Sequence, residues 1–387
     1  MHRSYRNKII LLTSTLCFLL VAELASQSTI PDSRGEIRDS LKYRKRLTYF
    51  SDNPKIGALD LFIDSILRKY MQSPHNCGIS IGLNQNGRSH FYNYGESKRD
   101  SGNIPTQSTV YEIGAISNSF CGLLLAQAVL EKKIKMNDDI RRYLPVDCAK
   151  FAFYKSPILI KHLAAHTASL PRLPSNLRDQ NQFDSLNPFK NYTKELLFKS
   201  LQNLSITNEP GTVRAYSALG IGILAAILEE IYGQTFEEIV HKKIAAPYNM
   251  ANTQIQSDSS QRAVLSSGYD ENGDPAPPWS FGEVPAMGGI ASTTGDMLKY
   301  LGACATPNEL NRMAQQVLYS GREEVSAAWS IKATQEGNTL YWQNGGTAGF
   351  SAFCGFIPEK NLSFVLLANS GMNLDYLAIA ISKYLQK

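Results

Sequence analysis

Tyr111-Glu112-Ile113-Gly114-Ala115-Ile116-Ser117-Asn118-Ser119-Phe120 leads into a stretch with almost no polar face, through Leu123, Leu124, Leu125, Val129 and Leu130. That spacing predicts a buried central helix over residues 117–132. Taken alone, Ser117 or Ser119 reads as the cap of this helix. Ala115 and Asn118 stand three positions apart, a separation at which two side chains meet on one helix face. A methyl group cannot attack a carbonyl, and a neutral amide cannot act as a base near neutral pH.

Four further segments follow in order. The first is Ser156-Pro-Ile-Leu-Ile-Lys-His162-Leu-Ala-Ala-His166-Thr-Ala-Ser-Leu-Pro171. The second joins Pro210-Gly211-Thr212 to Tyr216-Ser217-Ala218-Leu219-Gly220. The third is Met287-Gly288-Gly289-Ile290-Ala291-Ser292-Thr293 with Asp296-Met297, and the fourth is Gln343-Asn344-Gly345-Gly346-Thr347-Ala348-Gly349-Phe350.

With the opening segment, these resemble the serine β-lactamase and penicillin-binding protein family, in the branch of class C β-lactamases, D-Ala-D-Ala carboxypeptidases and esterases. In that family the first element reads Gly-Ser-x-Ser-Lys-Ser-Phe, its Ser attacking and its Lys handling the proton. Gly114, Ser117, Ser119 and Phe120 fall into this frame, whereas Ala115 and Asn118 replace the Ser and Lys. Sliding the frame by two to make Ser117 the nucleophile puts Phe120 in the place of Lys.

The resemblance implies an α+β fold, in which an antiparallel sheet built from both chain ends is flanked by helices and carries a mainly helical inserted subdomain. It also assigns the remaining site positions. Tyr216 is kept, Ala218 replaces the usual Asn, and Asn344 takes the place of the usual His or Lys. Tyr216 alone is a poor base, because an unperturbed phenol titrates near about 10. The ligand-binding candidates are Tyr216, Asn118, Asn344, Thr347 and Ser117. Backbone N–H groups of Ala115 and Thr347 would form an oxyanion hole.

These losses read as a pseudoenzyme that binds a peptidoglycan-derived peptide or a protein partner, or that serves as a scaffold. The alternative is an active esterase, carboxypeptidase or acyltransferase with a rearranged nucleophile, such as Ser117.

Composition narrows the rest. The 387 residues are 43% hydrophobic with a net charge of +5, and no long basic run carries interleaved aromatics, which argues against nucleic acid. His162 and His166 are four apart, as in zinc enzymes, but no Glu stands between them, so no metal and no cofactor is expected. His166 reads instead as a structural imidazole bonded to a backbone carbonyl. Beyond Cys17, the cysteines Cys77, Cys121, Cys148, Cys304 and Cys354 show no C-x-x-C pair and read as buried thiols, with one disulfide left open.

At the N-terminus Arg3, Arg6 and Lys8 precede an apolar run over 9–24 and then Ala25-Ser26. This is the pattern of a signal peptide over 1–26, or of an uncleaved membrane anchor, since Glu23-Leu24 makes a poor cleavage site. Either places the bulk outside the inner membrane, periplasmic or secreted. Residues 27–55 read as a polar linker and 56–387 as one domain, whose α/β part comprises 56–120 and 290–387 around a helical insert over 121–290.

Within that domain, periodicity and turn residues predict a helix over 56–71 and a hairpin around Asn84-Gln-Asn-Gly87. A second apolar helix spans 218–232 before Gly233, and 270–278 is a loop. Strands over 339–343, 350–357 and 362–367 have turns at Gly345-Gly346 and Pro358-Glu359-Lys360, and a helix closes the chain over 374–385.

Overall fold

The computed structural model describes residues 50–145, 152–202, 204–255 and 265–386. The signal or anchor segment, most of the linker, Cys17 and Cys148 lie outside the described residues.

Helix α1 (Ala58–Met71) buries Ile63, Leu67, Tyr70 and Met71 on one side. The Asp60 carboxylate accepts from the Gly57 N–H at its start, at 2.9 Å. Strands β1 (Gly78–Gln85) and β2 (Arg88–Gly95) form the expected hairpin. Asn86 and Gly87 both take positive φ, 53° and 80°, which a two-residue turn of this twist requires. The end of the supposed linker is not free of the domain: the Gly95 N–H donates to Phe50 O at 2.9 Å, and the Asp52 carboxylate accepts from the Asn93 N–H at 2.7 Å. Residues 50–53 therefore lie along the edge of β2.

After β3 (Tyr111–Glu112) comes a 3-10 turn, Gly114–Ile116, and then α2 (Ser117–Leu130). Neither Ser117 nor Ser119 caps α2, because the preceding turn already supplies helical backbone there. The insert holds the short strands β4 (Ala152–Phe153) and β5 (Ser156–Pro157), followed by the helices α3 (Ile160–Ala164), α4 (Lys194–Gln202), α5 (Ala218–Tyr232) and α6 (Phe236–Val240). The Ser217 hydroxyl accepts from the Gly220 N–H at 3.0 Å to cap α5, and Gly233 ends it in the left-handed region.

Strand β6 (Gln254–Ile255) precedes β7 (Gly268–Tyr269) and β8 (Pro275–Ala276), which make a small hairpin overlapping the predicted loop. Strand β9 (Ile290–Ser292) pairs with both β3 and β6, tying the insert back to the start of the site. Helices α7 (Thr294–Ala305) and α8 (Glu309–Gln315) follow. The chain then runs through β10 (Tyr319–Ser320), β11 (Glu324–Val325), β12 (Ser330–Ala333), β13 (Thr339–Gly346), β14 (Ser351–Ile357), β15 (Leu362–Ala368) and α9 (Asp375–Leu385).

The main sheet has eight antiparallel strands in the order β10-β11-β12-β13-β14-β15-β1-β2, so both chain ends build it. Its period of two sorts the core. Phe364 and Leu366 join α1 and α9 in one apolar layer, while Val365 and Leu367 face the larger core around α2, α5 and α7. Gly345 and Gly346, expected as a turn, instead end β13; the turn falls at residues 347–350.

Candidate functional site

The site forms where β13 meets the turn before α2. Gly114 has φ 52°, and a Cβ placed on it would stand 2.7 Å from Gly346 O. A Cβ on Gly345 would stand 2.6 Å from Ala115 N. Two backbones touch here, and only glycine lets them.

The Thr347 N–H donates to Phe350 O at 3.0 Å, closing the turn into β14. Strand alternation then turns the Gly346 N–H the opposite way, toward Gly114. The backbone nitrogens brought together at this seam are those of Ala115 and Gly346, rather than Ala115 and Thr347.

At the second position of α2, Asn118 is 3% exposed. Its Nδ2 donates to the Tyr216 hydroxyl at 3.2 Å, and its Oδ1 has no partner among the described residues. Tyr216 sits just ahead of α5. The buried His166 ring lies 4.7 Å from its ring, and the Arg172 guanidinium 4.9 Å. Burial raises the Tyr216 pKa above its ordinary value, against the opposing pull of the Asn118 hydrogen bond and the Arg172 charge. Tyr216 therefore stays protonated and can donate a hydrogen bond. Ala218 is buried in the first turn of α5, its N–H bonded to Arg172 O at 2.9 Å.

The other expected residues lie elsewhere. Ser117 is 0% exposed, and its Oγ accepts from the Ile290 N–H at 3.3 Å. The Ser119 hydroxyl donates to Ile116 O at 2.8 Å and accepts from Tyr300. The Thr347 hydroxyl donates to the buried Glu112 carboxylate at 2.5 Å, whose second oxygen accepts from the Trp279 N–H at 2.7 Å.

Asn344 is not brought to Asn118 and Tyr216. Its Nδ2 donates to Asp375 on α9 at 3.1 Å, across the far face of the sheet. Gln343 shares a strand face with Gly345, and its Nε2 reaches Ala328 O at 3.0 Å. The structure thus unites Ala115, Asn118, Tyr216, Ala218 and the backbone of Gly346. Sequence reasoning missed Arg172, Glu112 and Gln343. For Gln343 the period of two along β13 was the available signal.

The beta-lactamase family profile matches residues 63–381. The chain belongs to the beta-lactamase family. A β-lactamase of Pseudomonas fluorescens is 27% identical over 347 residues, covering 79% of this chain and 92% of that one. The D-alanyl-D-alanine-carboxypeptidase/endopeptidase AmpH of Escherichia coli (strain K12) is 25% identical over 305 residues, covering 72% and 76%. The β-lactamase/D-alanine carboxypeptidase structure from Pseudomonas syringae superposes with a TM-score of 0.71 at 22% identity, covering 84% of this chain and 99% of that one. The antiparallel sheet and flanking helices are the fold of that family.

Two histidines beside the site differ from expectation within this beta-lactamase fold. Helix α3 ends at Ala164, and His166 follows with φ 57°, so His162 and His166 do not share a helix face. The His166 Nδ1 accepts from the Ser217 N–H at 3.3 Å, rather than donating to a carbonyl. Burial first, then the Arg214 charge, lowers its pKa to about 3. The His162 Nδ1 accepts from the Leu159 N–H at 3.2 Å, and burial lowers its pKa to about 4. Cys77, Cys121, Cys304 and Cys354 are buried free thiols.

Proposed function

We propose that this member of the beta-lactamase family is a catalytically silent, exported binding or regulatory protein of the cell envelope. The observation that carries the reading is the triplet Ala115–Asn118–Tyr216: a methyl group where the nucleophile would stand, one turn from an amide bonded to a protonated phenol. Removing a serine nucleophile costs on the order of 10⁶ in kcat in a serine protease. An oxyanion hole with substrate binding retains only about 10³–10⁴ over water.

What remains is a cluster of polar groups, the Asn118 amide and the Tyr216 hydroxyl, beside backbone donors, suited to holding a ligand rather than cleaving it. A peptidoglycan-derived peptide is the small ligand this reading favours; a protein partner is the other occupant. Export rests on the basic and apolar pattern of residues 1–26. The rearranged enzyme finds little support in Ser117, whose hydroxyl is buried against β9.

The test is labelling with a fluorescent penicillin and a fluorophosphonate, on the wild type and on the Ala115→Ser, Asn118→Lys double variant. A dark wild type with a labelled double variant supports the proposal. A labelled wild type overturns it, and the adduct names the nucleophile.

A further inference from the structure

We propose that the outer face of helices α1 and α9 docks on an anionic lipid surface. The inference is independent of the silent-site reading, because both helices pack on the face of the main sheet turned away from α2 and α5.

The two helices lie side by side. The Phe62 and Tyr384 rings stack at 4.0 Å with 8° between their planes, which joins the start of α1 to the end of α9. Ile63, Leu67, Leu377 and Ile381 are buried against the sheet. Helical spacing turns another stripe outward on each helix. On α1 it carries Leu61 and Arg68, seven apart, and on α9 it carries Tyr376, Ile379 and Lys383. Leu61, Tyr376 and Ile379 are 54%, 51% and 50% exposed.

The charges on these helices are sorted by depth. Every acid is half-buried and engaged: Asp60 accepts from the Tyr92 hydroxyl at 2.7 Å, Asp64 from the Arg68 Nε at 2.7 Å, and Asp375 from the Asn344 Nδ2 at 3.1 Å. The exposed charges are all basic, namely Arg68, Lys69 and Lys383. No carboxylate among the described residues pairs with Lys69 or Lys383.

Exposed aliphatic and aromatic side chains among lysines and arginines are what a helix lying in a membrane interface presents to lipid. At 14 and 11 residues, α1 and α9 are too short to cross a bilayer, which takes about 20. A second copy of this chain fits the face less well, since a two-fold contact brings the same basic patch from both sides. In sequence, Lys42-Tyr-Arg-Lys-Arg46 comes shortly ahead of α1 and has the same sign of charge.

The experiment uses the full chain with vesicles of phosphatidylcholine, with and without phosphatidylglycerol. Ile379→Trp puts a reporter on the α9 face, and Tyr154→Trp puts one at a position 90% exposed between β4 and β5. Brominated acyl chains quench a tryptophan that enters the interface. The expected result, with phosphatidylglycerol present, is quenching at Ile379→Trp beyond that of the wild type, with none added at Tyr154→Trp. Lys69→Gln combined with Lys383→Gln should weaken vesicle binding about fivefold for each charge removed. Tyr376→Ser combined with Ile379→Ser should weaken it at least about tenfold. All four positions are exposed, so urea melts of both pairs should match the wild type. Quenching at Ile379→Trp no greater than at Tyr154→Trp overturns the proposal, as does vesicle binding that neither pair alters. A concentration-dependent dimer that Ile379→Asp dissolves also overturns it, and gives the face to a second copy.

Discussion

Asn118 and Tyr216, 98 positions apart, are joined by a 3.2 Å hydrogen bond from the Asn118 Nδ2 to the Tyr216 hydroxyl. The bond satisfies half of the amide and leaves Asn118 Oδ1 buried and without a partner among the described residues. A buried acceptor without a partner costs about 1–3 kcal/mol. The fold therefore keeps a polar group here at the expense of stability.

The first prediction follows. Asn118→Leu, which keeps the number and branching of side-chain heavy atoms, removes both the orphan acceptor and the amide, and should leave urea stability unchanged or raise it by about 1 kcal/mol. Tyr216→Phe should destabilise by about 1 kcal/mol, since it orphans the amide completely. A loss above about 2 kcal/mol for Asn118→Leu would show that the amide is structural.

The seam between β13 and the turn before α2 yields a second. Gly345→Ala drives a Cβ into the backbone of Ile113 and Ala115, which cannot rotate away. The expected cost is about 1–3 kcal/mol in chemical denaturation, with any ligand binding lost in the same variant. Wild-type stability in Gly345→Ala would mean the two backbones are further apart than described.

Strand register makes a third. In the Ala115→Ser, Asn118→Lys background, Gln343→Lys should speed penicillin labelling by about tenfold or more, because residue 343 shares a strand face with Gly345. Asn344→Lys should not, because residue 344 addresses Asp375 on the opposite face. Equal gains from both would refute this division of the strand.

The buried histidines make a fourth. His166 and His162 have folded pKa values lowered to about 3 and about 4, while unfolded histidine titrates near about 6.5. Their contribution is intact above about pH 6.5. As pH falls below that, the unfolded chain takes up protons that the fold refuses, and stability drops by about 1.4 kcal/mol per pH unit for each histidine. The loss levels off near the folded values. Urea melts at about pH 7 and about pH 5 should differ by about 4 kcal/mol from this pair, and His166→Asn should remove about half of that difference. An unaltered slope in His166→Asn would disprove the assignment.

Much of this was open to reading in the chain alone. The hairpin at Asn86-Gly87, the apolar helices α2 and α5, and the Gly233 stop rest on local rules, because a turn's φ and a helix's face depend only on near neighbours. The spacing of Ala115 and Asn118 is just as local, although the 3-10 turn holds the first and the start of α2 the second.

The third element was decided elsewhere. Along a strand, one residue's shift exchanges the two faces, and glycines carry no side chain to show which face they occupy. The close approach of Gly345 and Gly346 to Gly114 and Ala115 sets the register, turning Gln343 inward and Asn344 out to α9. Arg172 belongs with it. An exposed arginine in a loop has no pattern of its own, and only the packing of residues 171–172 against the start of α5 lays its charge on Tyr216. The sequence by itself determined the elements and the pairing of Ala115 with Asn118 three positions on. The tertiary structure decided which polar groups meet at Asn118, because that depends on contacts between segments far apart in the chain.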